Sequence, residues 1–247
     1  MSEYPIPVIE RDPELAGKTA IITGAAQGLG YAIAKAYIRA GLRVALIDVK
    51  ADQLAKVAAE LGDDAIGIPA DLSDAGQTQS AARAALERLG TPYVMVHNAA
   101  VLINRPLLQV RPEAWQREVN IILQAAFLLT QAVWEPMIAA GGGSLIYVSS
   151  RSGIEGFLDE SPYVAGKHGL EGFMKCMAME GEPHGIAAYT ITPGKAMRTP
   201  MSEYNYTEEL KKTWVDPYLL TPAFVKLAKR EALPLSGQRL NAWELST

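Results

Sequence analysis

The chain has one cysteine among 247 residues, which excludes an internal disulfide and fits a reducing compartment. That residue, Cys176, lies in the apolar run Phe173-Met174-Lys175-Cys176-Met177 and is expected to be a buried packing residue rather than a nucleophile. Long basic runs are absent and the net charge is −4, so nucleic acid is not an expected partner. No stretch reaches the ~18 apolar residues of a membrane span, and no membrane partner is expected. Residues 1–17 hold three prolines and five charged residues before any apolar run, unlike a secretory signal. The expectation is a cytoplasmic protein with an irregular N-terminal arm over residues 1–17 and a single domain over 18–247. No internal repeat, linker or metal-ligand set is apparent.

What the chain does have is alternation. Short apolar strands are predicted at Lys18–Thr23, Leu42–Ile47, Ala65–Ile68, Tyr93–His97, Ser144–Ser149 and Ile186–Ile191. Helices are predicted between them at Gly28–Ala40, Ala51–Leu61, Asp74–Leu89, Pro112–Met137 and Pro162–Glu180. Such an order implies an α/β fold, a doubly wound parallel sheet of Rossmann type in three α/β/α layers.

Thr23-Gly24-Ala25-Ala26-Gln27-Gly28-Leu29-Gly30 falls where the first strand becomes the first helix. Glycines at such a turn let backbone approach a pyrophosphate, whose charge then meets the helix-start N–H groups. The spacing is G-x-x-x-G-x-G, and an acid, Asp48, follows Gly30 by 18 residues at the end of the second strand. A carboxylate there accepts hydrogen bonds from an adenosine ribose and repels a 2′-phosphate, which favours NAD over NADP. Lys50 is the one nearby cation and is expected to face solvent. The competing role for Asp48 is to cap the helix at Ala51.

Tyr163 and Lys167 stand four residues apart, one helical turn, so their side chains share a face. An ammonium beside a phenol favours the ionised phenol.

Together these residues resemble the short-chain dehydrogenase/reductase family, from about Lys18 to Met201. Gly24, Gln27, Gly28, Leu29 and Gly30 lie in its cofactor loop. Asp71-Leu72 resembles the pair at the adenine ring. His97-Asn98-Ala99-Ala100 is similar to the family's Asn-Asn-Ala-Gly segment, with Asn98 and Ala99 against the cofactor. Ser150 precedes Tyr163 by 13 residues, the family's usual separation, and Asn120 matches its helix asparagine. Pro193-Gly194 matches the turn at the nicotinamide, and Thr199 falls one residue later than the family's amide-binding threonine. The C-terminal Ser236-Gly237-Gln238-Arg239-Leu240-Asn241-Ala242-Trp243-Glu244 lacks the usual Gly-Gly ending.

The resemblance implies an NAD-dependent oxidoreductase interconverting an alcohol and a carbonyl. Tyr163 would be acid/base. Lys167 would lower its pKa and bind the nicotinamide ribose, Ser150 would hold the substrate oxygen, and Asn120 would hold a water linked to Lys167. A lid is expected over about 195–230. Arg151, Lys195 and Arg198 beside the pocket suggest an anionic or heavily hydroxylated substrate such as a sugar, polyol or hydroxy acid, with Tyr204 on the lid as a further contact. The same charges read more readily as solvated loop charges, or as partners of Glu155, Asp159 and Glu160. An NAD-binding regulator without catalysis and a reductase of an apolar carbonyl are the alternatives. Apolar character on more than one face of the helices at 112–137 and 162–180 implies a homodimer or homotetramer.

Overall fold

The computed structural model describes residues 4–247. Seven strands form one parallel sheet in the order β3-β2-β1-β4-β5-β6-β7. They are β1 (Thr19–Thr23), β2 (Arg43–Asp48), β3 (Ala65–Pro69), β4 (Val94–His97), β5 (Gly143–Val148), β6 (Ile186–Thr192) and β7 (Arg239–Asn241). The helices between them are α1 (Gly28–Ala40), α2 (Ala51–Leu61), α3 (Ala75–Leu89), α4 (Pro112–Val119), α5 (Ala125–Ala139) and α6 (Ser161–Gly181). Beyond β6 come α7 (Pro200–Asn205), α8 (Glu208–Lys211), α9 (Thr221–Leu227) and α10 (Ala242–Ser246).

The strands read as unbroken apolar runs because helices cover both faces of the sheet. Ile22, Leu46, Val96, Ile146 and Tyr189 face α1, α2 and α9. Their neighbours Ile21, Ile47, Met95, Tyr147 and Ala188 face α3, α5 and α6. A period of two thus sorts each strand between two cores.

Three expectations change. Cys176 is exposed, because it lies two residues, roughly half a turn, from the buried Met174. The helix foreseen at 112–137 runs from Pro112 to Ala139, and a π turn at Asn120–Gln124 joins α4 to α5. This 28-residue helix holds an 18-residue stretch of mean hydropathy 1.4, as in a membrane span, but half of that stretch is buried in the domain. The lid foreseen over 195–230 divides, since Leu220, Phe224 and Leu227 belong to the core and only the earlier part lies over the strand ends. The described part of the arm is tied down: Leu15 is buried, Gly17 N–H donates to Gly41 O at 2.8 Å, and Lys229 pairs with Asp12 at 3.2 Å.

Candidate active site

A cleft of about 350 Å³ opens at the C-terminal ends of the strands, where the chain order reverses between β1 and β4. At one end is the glycine loop. Gly24 has φ +62°, and a Cβ there would lie 2.9 Å from Asn98 Nδ2. At Gly30 a Cβ would fall 2.2 Å from the Gly24 carbonyl oxygen. Asn98 Nδ2 donates to the carbonyls of Thr23 and Gly24, both at 3.1 Å, so β4 braces the loop. Gln27 caps α1 without a side-chain hydrogen bond, which leaves the first amides of α1 open to a ligand in the cleft.

Asp48 is buried, and each oxygen has one protein donor: Ala26 N–H to Oδ2 and Lys50 N–H to Oδ1, both at 3.0 Å. It therefore shapes the turn before α2 and braces the loop, while Lys50 itself is the N-cap. A carboxylate has about four acceptor sites, so two remain for hydroxyls in the cleft. Lys50 is solvent-exposed as expected, yet its ammonium folds back to Gln27 Oε1 at 2.7 Å beside the cleft. Further along, Asp71 and Leu72 line the cleft. Burial pushes the Asp71 carboxyl up, but hydrogen bonds from Ser73 and the charge of Arg117 hold it below its usual value. Gly28, Leu29, Ala99, Pro193 and Thr199 also line the cleft. Gly194 (φ +74°) packs so tightly on the last strand that a Cβ would overlap Asn241, and Thr199 caps α7 in a reciprocal bond with Ser202. The glycine cradle, the open amides of α1 and the acceptors of Asp48 fit a nicotinamide dinucleotide.

Ser150, Tyr163 and Lys167 meet at the other end. Tyr163 lies in the first turn of α6, and Lys167 Nζ is 5.5 Å from its ring centroid. That ammonium donates to Val148 O at 2.6 Å. Burial holds the phenol of Tyr163 above its ordinary pKa, the Ser150 hydroxyl works against this, and Glu160 and Tyr206 add to it. Burial also depresses Lys167 to about 7, opposed by Glu171. At Tyr163 burial therefore outweighs the Ser150 hydroxyl, and the phenol is held above its ordinary value rather than lowered as the spacing implied.

The Asn120 side chain is held on the protein itself. Its Nδ2 donates to Ser73 O at 3.0 Å and its Oδ1 accepts from Gln116 at 2.5 Å. Its own carbonyl takes the Ala125 N–H, five residues on, in the π turn. The turn explains His97, which the family pattern writes as asparagine. His97 Nε2 lies 3.1 Å from the carbonyls of both Ile121 and Ile122 and must donate, so Nδ1 accepts from Thr23 Oγ1 at 3.1 Å. Burial, then the charge of Lys167, lowers His97 to about 3 and keeps it neutral.

Behind the catalytic segment is a buried carboxylate. Glu171 accepts from Ser149 Oγ at 2.5 Å and from Thr190 Oγ1 at 2.6 Å. Arg239 Nε lies 3.2 Å from Glu171 Oε1, near enough for an ion pair though not aligned for a hydrogen bond, and its Nη2 donates to Ser150 O at 3.0 Å. The unusual C-terminal segment thus forms β7 and reaches the catalytic loop. Nothing in motif spacing pointed to this.

The expected substrate cations lie elsewhere. Arg151 pairs with Glu155 at 3.9 Å and covers the Phe157 ring. Arg198 lies over Trp214 and Lys195 over Trp243. None of the three lines the cleft, nor does Tyr204, which is 88% exposed. In their place stand Glu160, Asn205, Tyr206, Met197 and Met201. A cation on a loop finds an aromatic face as readily as a ligand, and no sequence motif marks the residues that do face inward.

A parallel doubly wound sheet with a glycine loop, a buried acid at the end of β2 and a Ser–Tyr–Lys set in one cleft is the frame of a dinucleotide-dependent oxidoreductase. The chain belongs to the short-chain dehydrogenase/reductase family, whose "short chain dehydrogenase" model matches residues 18–210. It is 35% identical over 188 residues to D-threitol dehydrogenase of Mycolicibacterium smegmatis, covering 75% of this chain and 72% of that one. Among solved structures it resembles 3-ketoacyl-(acyl-carrier-protein) reductase of Brucella melitensis complexed with NADH, with TM-score 0.87, 25% identity and coverage of 94% and 100%. It also resembles a protein proposed to be an NAD(P)-dependent gluconate 5-dehydrogenase from Beutenbergia cavernae, with NADP bound at low occupancy (TM-score 0.85, 28% identity, coverage 94% and 98%).

Proposed function

We propose that the protein is an NAD-dependent dehydrogenase that oxidises a secondary alcohol or hemiacetal of a polar, hydroxylated substrate. The Asp48 carboxylate carries the cofactor assignment: it is buried at the mouth of the cleft with acceptor sites free for the two ribose hydroxyls. A 2′-phosphate would meet that charge. The D-threitol dehydrogenase likeness supports a polyol-type substrate.

A bound nicotinamide supplies the hydride exchange at the substrate carbon. The protein's work is at the oxygen. Ser150 Oγ orients the substrate oxygen toward the Tyr163 phenol, which exchanges the proton with it. Lys167, held by Val148 O, sets the electrostatics of that exchange and would hold the nicotinamide ribose of a bound cofactor. The walls formed by Val101, Leu102, Met197 and Met201 exclude water. Those apolar walls also support a second reading, reduction of an apolar carbonyl. The exposed Trp115, Phe127 and Met179 on α4, α5 and α6 support burial against a second copy, in a homodimer or homotetramer.

The test is kcat/KM with NAD and NADP for the wild type and Asp48→Ala. We expect at least about tenfold preference for NAD and its loss in the variant. Equal use of NADP by the wild type overturns the cofactor assignment.

A further inference from the structure

Glu160 precedes α6 as its N-cap, three residues before Tyr163. An acid at that position ordinarily accepts from the first helix amides. This one makes no such bond. Its carboxylate turns instead to the cleft, where Oε2 accepts from Ser152 Oγ at 3.0 Å. Ser152 Oγ is in turn 3.3 Å from Ser150 Oγ. Oε1 has no hydrogen-bond partner among the described residues. The side chain is half-buried, and its charge acts on the phenols of both Tyr163 and Tyr206, which line the same cleft. The other acids lining the cleft, Asp48 and Asp71, lie at the glycine-loop end with the lining cations Lys50, held by Gln27, and Arg117, which acts on Asp71; the third lining cation, Lys167, donates to Val148 O.

We propose that Glu160 is the specificity-determining residue of the substrate end, its free oxygen accepting a hydroxyl next to the reacting carbon of an uncharged polyhydroxy alcohol and its charge excluding acids. This rests on the alcohol-dehydrogenase reading above and names the substrate class within it. A desolvated carboxylate accepts strongly from hydroxyl donors and has none to offer a substrate carboxylate. The three loop cations that would have compensated an anion are turned onto Phe157, Trp243 and Trp214. The apolar walls then pack the C–H faces of the polyol.

Oxidation by NAD would be measured for erythritol and xylitol, for erythronate and xylonate, and for 2-butanol, in the wild type, Glu160→Gln and Glu160→Ala. Calorimetry of erythritol and xylitol binding to the enzyme–NAD complex accompanies it. We expect the wild type to favour each polyol over its acid at least tenfold. We expect Glu160→Gln to lower the polyol-to-2-butanol ratio of kcat/KM at least tenfold, mainly through KM, and to weaken polyol binding equally. A ratio within twofold of wild type, or a wild-type preference for the acids, overturns the assignment of Glu160 while leaving the dehydrogenase reading intact. Absence of turnover with every alcohol overturns that reading. The calorimetry then still decides on Glu160: polyol binding lost in Glu160→Gln upholds its role, and binding that is undetectable or unchanged by the substitution ends it.

Discussion

Arg239, in the last strand, donates from Nη2 to the main-chain carbonyl of Ser150 at 3.0 Å. The same guanidinium pairs with Glu171, one helical turn beyond Lys167. One side chain therefore ties the edge of the sheet to the loop of Ser150 and to the helix of Tyr163. Arg239→Met is expected to cost about 1–3 kcal/mol, below the usual 3–5 for breaking a buried pair because a quarter of the arginine side chain is exposed. Turnover should fall about tenfold through misplacement of Ser150. Urea melts and steady-state rates check both, and Glu171→Gln added to Arg239→Met should restore part of the stability.

Tyr163→Phe keeps the buried ring and deletes only the phenol oxygen. Turnover should drop by roughly 10²–10⁴, the range of general acid–base contributions. The NADH dissociation constant, read by fluorescence titration, should stay within about threefold. Turnover near wild type would remove Tyr163 from the proton transfer.

Gly30→Ala places a Cβ where the Gly24 carbonyl oxygen stands, 2.2 Å away. Because that neighbour is backbone, the cofactor loop must move. NAD affinity should weaken by about tenfold or more, with a lower melting temperature. Both are readable in one thermal-shift titration.

His97 makes the protein acid-sensitive. Its folded pKa is about 3, against 6.5 ordinarily, so between those values the unfolded chain binds the extra proton. The stability of its neutral form is complete above about pH 6.5 and is lost as pH falls toward 3, at up to about 1.4 kcal/mol per pH unit. His97→Asn retains a donor for the π-turn carbonyls and cannot titrate. The difference between wild-type and variant urea stabilities should shrink steadily from pH 6.5 to 4.5; a difference independent of pH contradicts the buried neutral histidine.

Six strands and the helices between them could be read from the chain because each strand is a short apolar run buried on both faces. β7 could not. Arg239-Leu240-Asn241 has no such run and exists by pairing with Thr190, Ile191 and Thr192. Gly24, Gly30, Asp48, Ser150, Tyr163 and Lys167 were legible because their chemistry fixes both residue type and spacing. The π turn was hidden, since His97, 24 residues away, supplies the donor for its freed carbonyl. Arg151 and Arg198 were open between substrate contacts and loop charges, and Arg151 pairs with Glu155 as the second reading had it; a charge in a loop shows neither its direction nor which ring lies beneath it. Glu160 was named only as an ion-pair partner, and its inward turn depends on Ser152.

The π turn has one more consequence, a rotational one. From Glu118 to Met137 is nineteen steps, which at 3.6 residues per turn would leave the two about 100° apart around a regular helix. Both are buried, and the π turn between them absorbs about one residue of winding. It acts as a phase correction. Deleting a single residue within Asn120–Gln124 would leave eighteen steps, about five full turns of a regular helix, so the second half would keep its phase while the freed carbonyl that His97 meets would return to a regular helix bond.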